Sequence, residues 1–364
     1  MPRLSTDAAP ALIAPLPQHR FDTVALATWL QDRVPDGTAG LVVQQFQGGM
    51  SNPTYLLTLP SGKRMVLRKK PPGRLLPKAH AIDREYRILA ALAPTAVPTP
   101  QVIAYCDDPG VIGAEFFVME YLEGRIIADR AMAPVPRPDR PALAYALIDT
   151  LADLHLLDWR ACGLDGFGRP EGYLARQTAR WSGQYEAAKS ALPADFDYAD
   201  MDWLRDWMIR HSAVAEESAI THGDFRLGNA VVHPVAPRII GLLDWELSTI
   251  GHPVADLAYL CLPYRLPPEV LGGQGLVAAG LPSEQAMLAR YCERTGRSTI
   301  TDWPVFLAFN CLRSAAIIQG VAARAAQGTA SSASADPARE GLRARRIAQC
   351  GADIARRHEQ GQPA

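Results

Sequence analysis

Three polar side chains stand where apolar segments of the sequence begin or end. Asp224 and Asn229 lie five positions apart in THGDFRLGN, residues 221–229, and Asp244 follows in LLDWE, residues 242–246. A carboxylate that is held in place can accept a proton from a hydroxyl group, and the carbonyl oxygen of Asn is a suitable ligand for Mg²⁺. A base, an Asn ligand and an Asp ligand are the groups that phosphoryl transfer to a hydroxyl acceptor requires.

The same three residues also have a structural interpretation. Asp commonly caps turns and Asn tolerates the left-handed backbone conformation, so any one of them alone would be expected to stabilise a turn. Their joint spacing, with both motifs at strand junctions, favours the chemical interpretation.

The surrounding elements are predicted to hold these residues close together. Two glycines make residues 221–229 a loop rather than a helix. AVVHPVAPRIIGLLDWE, residues 230–246, predicts a hairpin of an apolar strand, a turn that contains Pro and a second apolar strand. Asp244 ends the second strand, and we expect the hairpin to return it to the neighbourhood of Asn229.

Residues 21–122 are predicted to form a small antiparallel sheet with one main helix. Alternating apolar residues and tight turns predict three strands in 41–73 and two more in 97–124. Residues 80–93 have the apolar spacing of the main helix. Residues 1–20 are rich in Ala and Pro and are expected to form a loose tail.

The rest of the chain, residues 123–364, is predicted to be a larger helical lobe. Helical periodicity recurs in six segments, which are 141–159, 173–190, 200–219, 283–295, 303–325 and 338–358. A sheet lobe followed by a helical lobe is an α+β plan with two lobes.

Arg68 and Glu85 are a predicted ion pair within the sheet lobe. Arg68 ends the strand MVLR, where a cation can reach nucleotide phosphates. Glu85 lies on the apolar face of the predicted main helix, with isoleucine and leucine three or four positions away, so it needs a cationic partner. Lys69 should face the other side of the strand. The alternative is an ion pair that contacts no ligand.

The segment QGGMSN, residues 47–52, is a candidate phosphate-covering loop because it joins two predicted strands and precedes MVLR. Its backbone amides could contact phosphate, and the candidate residues are Gly48, Gly49, Ser51 and Asn52. The same Gly-Gly pair also suits an ordinary hairpin turn, and the segment lacks the full GxGxxG spacing.

The apolar segment FVMEYLEG, residues 117–124, runs into the predicted junction of the two lobes. Such a strand offers a flat surface for a purine, and backbone groups at Glu120 and Leu122 could bind the edge of its ring. An ordinary core strand followed by a linker explains the segment equally well.

Two histidines near these motifs are assigned structural roles. His155 lies on the apolar side of the predicted helix 141–159 and is expected to be packed in the core. His222 precedes Asp224 by two positions and is expected to order the loop by hydrogen bonding.

The composition restricts the partners and the compartment. The chain has 37 basic and 38 acidic side chains, and its net charge of −1 gives no reason to expect nucleic acid or an anionic membrane as a partner. Its six cysteines occur singly, which favours reduced thiols over a zinc ribbon. We expect no signal peptide and no apolar run of membrane-spanning length, and therefore a cytoplasmic protein.

HGDFRLGN together with IIGLLDWE resembles the catalytic motifs of the aminoglycoside phosphotransferase and choline kinase-like superfamily, whose two-lobe fold is protein kinase-like. The resemblance implies a catalytic base at Asp224 and metal ligands at Asn229 and Asp244. It also implies a phosphate contact at Arg68, where the superfamily usually has Lys, with Glu85 as its helix partner. The implied cofactors are ATP and Mg²⁺.

The resemblance extends to one subgroup, the kinase-like domain that is fused to an acyl-CoA dehydrogenase in animals and occurs alone in bacteria. It includes VLRKKPPG (66–73) and IIQGVAARAAQGTAS (317–331), and it runs from about residue 20 to about residue 350. Animal members are associated with phosphorylation of 4-hydroxyacyl-CoA. One departure is His252, where the subgroup typically has Asp, whereas Asp256 resembles a residue that braces the catalytic loop.

The resulting hypothesis is an ATP-dependent phosphotransferase that acts on a small-molecule hydroxyl group, with hydroxyacyl-CoA as one candidate acceptor. A basic cluster of Lys69, Lys70, Arg74 and Lys78 could bind the phosphates of such a thioester, although a solvated loop explains the cluster too. Two alternatives stay open: an aminoglycoside or other antibiotic phosphotransferase, and a nucleotide-binding module without catalytic activity. The presence of all the motif residues argues against the second.

Overall fold

The computed structural model describes residues 11–47, 52–71, 81–190, 196–267, 270, 275–327 and 336–362. The chain forms two compact units. The first comprises Met1–Ala128, Arg160–Phe167 and Leu227–Ser248, and the second comprises Asp129–Trp159, Gly168–Arg226 and Thr249–Ala364. The first unit therefore includes two later segments, one of which is the predicted hairpin. A lobe boundary after residue 122 stays a prediction.

A six-stranded antiparallel sheet forms the centre of the first unit, with the strand order β1-β2-β3-β4-β6-β5. Its strands are β1 Leu12–Ile13, β2 Val42–Phe46, β3 Thr54–Thr58, β4 Arg64–Lys69, β5 Val102–Cys106 and β6 Phe116–Glu120. The helices of this unit are α1 Thr23–Leu30, α2 Ile82–Leu92 and the short α3 Pro109–Ile112. The predicted sheet and its main helix, α2, are both present.

Residue alternation along β4 places Met65 and Arg68 on opposite faces of the sheet. Met65 and Leu67 join a buried apolar cluster that includes Tyr55 of β3 and Leu26 of α1. Because successive side chains of a strand point to opposite faces, Arg68 lies on the other face of the sheet.

The predicted loose tail, residues 1–20, needs correction in its second half. Leu12 and Ile13 form β1, which pairs with Phe46 and Gln45 at the edge of the sheet. A short 3₁₀ helix, Pro17–His19, follows. A strand of two residues is held by main-chain hydrogen bonds to its neighbour and is too short for a periodic pattern, so local sequence analysis does not detect it. Residues 1–10 lie outside the described part of the chain.

The predicted hairpin consists of β8 Ala230–Val232 and β9 Ile239–Leu242, paired antiparallel. Gly124 allows the chain after β6 to approach this hairpin. A Cβ atom at this glycine would collide with the side chain of Val231 and lie 2.6 Å from the carbonyl oxygen of Val232.

Helices form most of the described part of the second unit, together with a short two-stranded sheet. The helices are α4 Arg140–Leu156, α5 Tyr173–Lys189, α6 Ala199–His211, α7 Pro253–Cys261, α8 Glu284–Thr295, α9 Trp303–Ala326 and α10 Pro337–Glu359. The strands are β7 Ala219–Thr221 and β10 Thr249–Gly251, which pair antiparallel.

One helix prediction for the second unit was wrong. The helix predicted for 200–219 ends at His211, because Ala219–Thr221 pairs as a strand with Thr249–Gly251. Among the described helices, α9 is long and apolar enough to cross a membrane by length and composition. However, 72% of its apolar window is buried, as expected for a core helix.

Candidate active site

Arg68 is held on the polar face of the sheet by Glu85 of α2. Its Nη1 atom lies 2.5 Å from Oε1 of Glu85, and the two side chains are 10% and 2% exposed. The predicted ion pair is therefore present. Its contact with nucleotide phosphates stays a prediction.

Three carboxylates surround this one guanidinium. Burial raises the pKa of Glu85 to about 7; Arg68 opposes this shift, and the charges of Asp244 and Glu246 add to it. Burial would lower the pKa of Arg68, but the same three carboxylates raise it overall. With all four groups ionised, the cluster carries more negative than positive charge, which favours the approach of a cation.

The hairpin brings Asn229 and Asp244 to the same end. Ala230 pairs with Leu242, and the N–H of Leu243 donates to the carbonyl oxygen of Asn229 at 2.8 Å. Asn229 directly precedes Ala230, and Asp244 directly follows Leu243, so the paired strands bring the two candidate ligands to the same end of the hairpin. Oδ1 of Asp244 also lies 3.6 Å from Nη2 of Arg68, which links the hairpin to the ion pair.

Asp244 has a left-handed backbone, with φ at +69°. The structural interpretation of the sequence assigned this conformation to Asn229, which instead ends the 3₁₀ helix Leu227–Asn229. A left-handed conformation is uncommon outside glycine and often marks a functional position.

Asn229 and Asp244 could hold Mg²⁺ only with help from other ligands. Among the described residues, no group of three or more His, Cys, Asp or Glu side chains is placed to hold a metal ion. Mg²⁺ is commonly bound by one or two protein oxygens together with phosphates and waters. One amide oxygen and one carboxylate beside an excess of negative charge fit that kind of site.

Asp224 belongs to the second unit, and a buried carboxylate shapes its loop. Asp256 of α7 accepts the backbone N–H groups of His222 at 2.6 Å and Gly223 at 3.0 Å. Arg313 of α9 donates to the carbonyl oxygen of Gly223. His222 Nδ1 accepts the N–H of Asp224 at 3.2 Å, so the predicted ordering role of His222 is confirmed, as is the bracing role of Asp256.

His155 is buried, as predicted, and it supports Asp256. Its Nε2 atom lies 3.7 Å from Oδ2 of Asp256, and its Nδ1 atom bonds to the hydroxyl of Tyr291 at 2.8 Å. Burial would raise the pKa of Asp256, but the nearby side chains of His155 and His222 and the backbone donor at His222 lower it overall. The carboxylate therefore stays ionised although it is buried.

The side chain of Asp224 has polar neighbours that the sequence analysis did not assign. Nε of Arg226 lies 3.2 Å from Oδ2 of Asp224, whose side chain is 19% exposed. The hydroxyl of Tyr259 bonds to the same carboxylate, and burial is the largest of the causes that raise the pKa of Tyr259 to about 12. Arg226 was visible within the motif itself, whereas Tyr259 could not be connected to it before the fold was known.

Arg130 is a second arginine in the electrostatic field of Asp224. Burial is the largest cause that lowers its pKa, and its charged neighbours include Arg226 and Asp224. Within the described residues it makes no hydrogen bond or ion pair through its side chain. It lies far from the motif in sequence, and no local pattern marked it.

His252 caps the N-terminus of α7. Its Nδ1 atom accepts the N–H of Val254 at 3.3 Å at the start of α7. Burial is the largest cause that lowers its pKa, so the neutral acceptor form is favoured. The departure leaves the helix that carries Asp256 capped.

The structure describes only some of the other residues that were predicted to contact the nucleotide. Gly48, Gly49 and Ser51 lie outside the described residues, and Asn52 is buried just before β3. The N–H of Glu120 already donates to Gln101 at 2.8 Å. Leu122 has no backbone hydrogen bond in the described part of the chain and so stays available to a purine edge.

Of the predicted basic cluster, the structure describes Lys69 and Lys70. Lys69 is only 4% exposed and lies over the ring of Phe21, 5.5 Å from its centre. Lys70 pairs with Glu115 at 2.6 Å. Arg74 and Lys78 lie outside the described residues. Alternation along β4 turns Lys69 into the apolar core, which the motif reading overlooked.

The sequence of this chain is similar to those of known phosphotransferase family members. The model of the APH phosphotransferase enzyme family matches residues 42–291, a range that contains the ion pair, the loop of Asp224 and the hairpin. The chain is 42% identical over 328 residues to acyl-CoA dehydrogenase family member 11 of Rattus norvegicus. That alignment covers 87% of this chain but 41% of the relative, so the chain spans about two fifths of that protein's length.

Solved structures share the fold. A protein of Ralstonia eutropha, provisionally assigned as an aminoglycoside phosphotransferase, is 39% identical with a TM-score of 0.81, covering 93% of this chain and 99% of its own. A thermostable mutant of aminoglycoside phosphotransferase APH(4)-Ia, solved with ADP and hygromycin B, is 13% identical with a TM-score of 0.58, covering 90% and 99%. These similarities confirm the predicted α+β, protein kinase-like fold.

We predict that Arg68→Met destabilises the first unit in a pH-dependent way. Arg68 lowers the pKa of Glu85, so without it that pKa rises above about 7. A carboxyl whose pKa is higher in the folded than in the unfolded chain binds its proton more tightly in the folded state. The free energy of unfolding of the variant should therefore fall as the pH rises through the folded-state pKa of Glu85. The loss should be about 3 kcal/mol at high pH and smaller near pH 6, measured by urea unfolding.

Arg64→Met on the same strand is the matched control. Arg64 pairs with Glu123, whose side chain is 75% exposed, so its loss should change stability by at most about 1 kcal/mol at either pH. Equal effects of the two substitutions would contradict a special role for the buried pair.

Proposed function

Because the chain belongs to the APH phosphotransferase enzyme family, we propose that it transfers the γ-phosphate of ATP to a hydroxyl group of a small molecule. The observation that carries this proposal is the buried guanidinium of Arg68, held between Glu85 and Asp244. A fixed cation beside candidate metal ligands suits the stabilisation of phosphoryl oxygens, and most catalysis in this chemistry comes from positioning and charge neutralisation.

The nucleotide is proposed to bind in the first unit. Leu122 would offer its free backbone groups to the purine, and the loop at residues 47–52 would cover the phosphates. Asn229 and Asp244 would hold Mg²⁺, which neutralises phosphate charge when it is bound. The related APH(4)-Ia structure with ADP supports nucleotide use by this fold.

Asp224 is proposed as the base that orients the acceptor hydroxyl and takes its proton. Two features of its loop support this role: the backbone is fixed through Asp256, and the side chain is partly accessible. The hydrogen bonds from Arg226 and Tyr259 leave the carboxylate in one orientation. A base held in this way loses little entropy when the acceptor binds.

An anionic acceptor, in particular a hydroxyacyl-CoA, is proposed ahead of a cationic one. Arg226 and Arg130 both lie in the electrostatic neighbourhood of Asp224. Two guanidinium groups there would repel a polycationic sugar and attract the phosphates of a thioester. The similarity to a protein whose name is acyl-CoA dehydrogenase family member 11 is consistent with this class.

An aminoglycoside phosphotransferase is the second candidate, because the Ralstonia eutropha relative carries that provisional assignment. A nucleotide-binding module without activity is less well supported, since the base, both candidate ligands and the ion pair are all present. We also propose a cytoplasmic protein without a nucleic-acid or membrane partner, on the basis of its balanced charge.

We predict that Asp224→Asn lowers kcat by a factor on the order of 10² or more and leaves ATP affinity unchanged. The amide keeps the shape of the side chain but cannot accept a proton. Turnover would be followed as Mg²⁺-dependent ADP release with any acceptor that the unmodified protein phosphorylates, and ATP affinity by calorimetry. Normal turnover in this variant would remove Asp224 from the mechanism.

Asp244→Asn is predicted to weaken Mg²⁺-dependent ATP binding on the order of tenfold while folding normally. Asn tolerates the left-handed backbone at this position, so the substitution removes a charge without adding strain. Asp302→Asn is the matched control, because Asp302 also has a positive φ of 53° but lies outside the proposed site. Unchanged nucleotide titrations for Asp244→Asn would refute the metal assignment.

We predict that the arginines near Asp224 determine which class of acceptor is phosphorylated. A 4-hydroxyacyl-CoA should be phosphorylated and hygromycin B should not, and Arg130→Met should raise the KM for the thioester on the order of tenfold with little change for ATP. Arg169→Met, at an exposed position of the same unit, should change neither value. Phosphorylation of hygromycin B without turnover of the thioester would favour the second candidate instead.

A further inference from the structure

Two arginines of α2 bind a segment that comes from far along the chain. Arg160–Phe167 belongs to the first unit, although the residues before and after it belong to the second. Nη2 of Arg87 donates to the carbonyl oxygen of Asp165 at 2.6 Å, and Nη2 of Arg84 donates to that of Phe167 at 2.6 Å. These bonds join the segment to α2 and account for its place in the first unit.

The segment 160–167 is shaped to present its carbonyl groups to α2. It makes two consecutive turns, closed by main-chain hydrogen bonds of 2.9 Å from the N–H groups of Gly163 and Phe167. Gly163 and Gly166 have φ values of +72° and +69°, a conformation that favours glycine. The side chains of Leu164 and Phe167 are buried, so the segment is anchored in the core and offers α2 a fixed row of acceptors.

Arg84 also reaches the turn that follows Asp244. Its Nη2 atom lies 3.3 Å from the carbonyl oxygen of Ser248, and its Cζ atom lies 4.2 Å from the centre of the Phe167 ring. A guanidinium has several N–H donors in one plane, so a single arginine can bind two carbonyl groups while it stacks on an aromatic ring. Arg84 thus joins α2 to Phe167 and Ser248, which lie 83 and 164 positions away in the sequence.

Ser248 closes this turn at the end opposite to Asp244. The 3₁₀ turn Trp245–Leu247 starts directly after Asp244, and the N–H of Ser248 donates to the carbonyl oxygen of Trp245 at 3.0 Å. Helix α2 packs against the turn. A bond that holds Ser248 therefore also restrains the backbone of Asp244.

Asp244 depends on support from its backbone. Its side chain is 37% exposed, its contact with Arg68 is 3.6 Å long, and its φ is +69°. A left-handed conformation outside glycine persists only where the surrounding structure holds it. Because Mg²⁺ demands nearly ideal octahedral geometry, a small displacement of a ligand carboxylate would lower the affinity for the metal.

We propose that Arg84 is a positioning residue for Asp244: by tying Ser248 to the anchored segment 160–167, it fixes the turn that follows the candidate metal ligand. The inference rests on the proposed binding of Mg²⁺ by Asp244. Arg84 acts through the backbone of Ser248 rather than through the metal. Its removal should therefore change both the local order of the turn and the Mg²⁺ dependence of nucleotide binding.

Arg87 provides a matched control within the same helix. It lies one turn after Arg84, and its side chain donates to the carbonyl oxygens of Asp165 and Gly163 at 2.6 and 3.4 Å. Both arginines hold the segment 160–167, but among the described hydrogen bonds Arg84 and not Arg87 donates to Ser248. Comparing the two separates support of Asp244 from general anchoring of the segment.

The test compares Arg84→Met, Arg84→Lys and Arg87→Met in the full chain. Amide hydrogen exchange of residues 245–248, measured without nucleotide, should become faster in Arg84→Met and stay at the rate of the unmodified chain in Arg87→Met. A non-hydrolysable ATP analogue is then titrated by calorimetry at increasing Mg²⁺ concentrations. Arg84→Met should need on the order of tenfold more Mg²⁺ for half-maximal binding. Arg87→Met should need no more than the unmodified chain, and Arg84→Lys should lie between because it keeps a charged donor.

Each outcome of this test bears on one step of the inference. Unchanged exchange in Arg84→Met would overturn the positioning role, and faster exchange with an unchanged Mg²⁺ requirement would overturn its link to Asp244. Equal effects of Arg87→Met would assign the support to the whole segment 160–167 instead.

Two further results are distinguishable from these. If Arg84→Met does not fold, as judged by circular dichroism, the same measurements on Arg84→Lys decide. Binding of the analogue by the unmodified chain without any dependence on Mg²⁺ would refute the proposed function and the link to a metal. The exchange comparison would then still decide whether Arg84 holds the turn.

Discussion

A buried guanidinium is the constraint on which the first unit depends. Removing the charge of Arg68 from water is costly unless a carboxylate replaces the lost hydration, and the buried Glu85 is its main partner. This requirement fixes the position of α2 on the sheet. The partly exposed Asp244 adds a weaker contact at 3.6 Å, which ties the end of the hairpin to β4.

The second unit also depends on a buried charge whose partners fix the surrounding chain, but here the charge is negative. Asp256 is a buried carboxylate whose partners are two backbone N–H groups and the side chain of His155. Hydrogen bonds to a buried carboxylate favour its ionised form, and in return they fix the backbone that provides them. The loop before Asp224 is therefore shaped by an interaction that contacts no substrate. The long and largely buried helix α9 also uses two polar side chains, Asn310 and Arg313, to support this region.

The helix that carries Asp256 begins at an uncharged cap. The Nδ1 atom of His252 accepts the N–H of Val254, so the first turn of α7 is satisfied by an imidazole without a charge. Burial lowers the pKa of His252, whose ring lies 4.5 Å from that of Phe306, and so favours the neutral form. The position of the buried Asp256 therefore depends on a neutral cap at the start of its own helix.

The sequence by itself determined the local elements and the motif chemistry. Periodicity and turn residues were sufficient for the sheet, the main helix, the hairpin and most long helices, because those signals are local. The Arg68–Glu85 pair was also predictable, since a carboxylate on an apolar helix face requires a cation.

Tertiary structure decided what depends on contacts between distant segments. It made Ala219–Thr221 a strand, since that segment gains its partner only from Thr249–Gly251. It buried Lys69, and it placed Arg130 and Tyr259 near Asp224. Side-chain environment is a property of packing, and residues far apart in the chain carry no local pattern that reveals it.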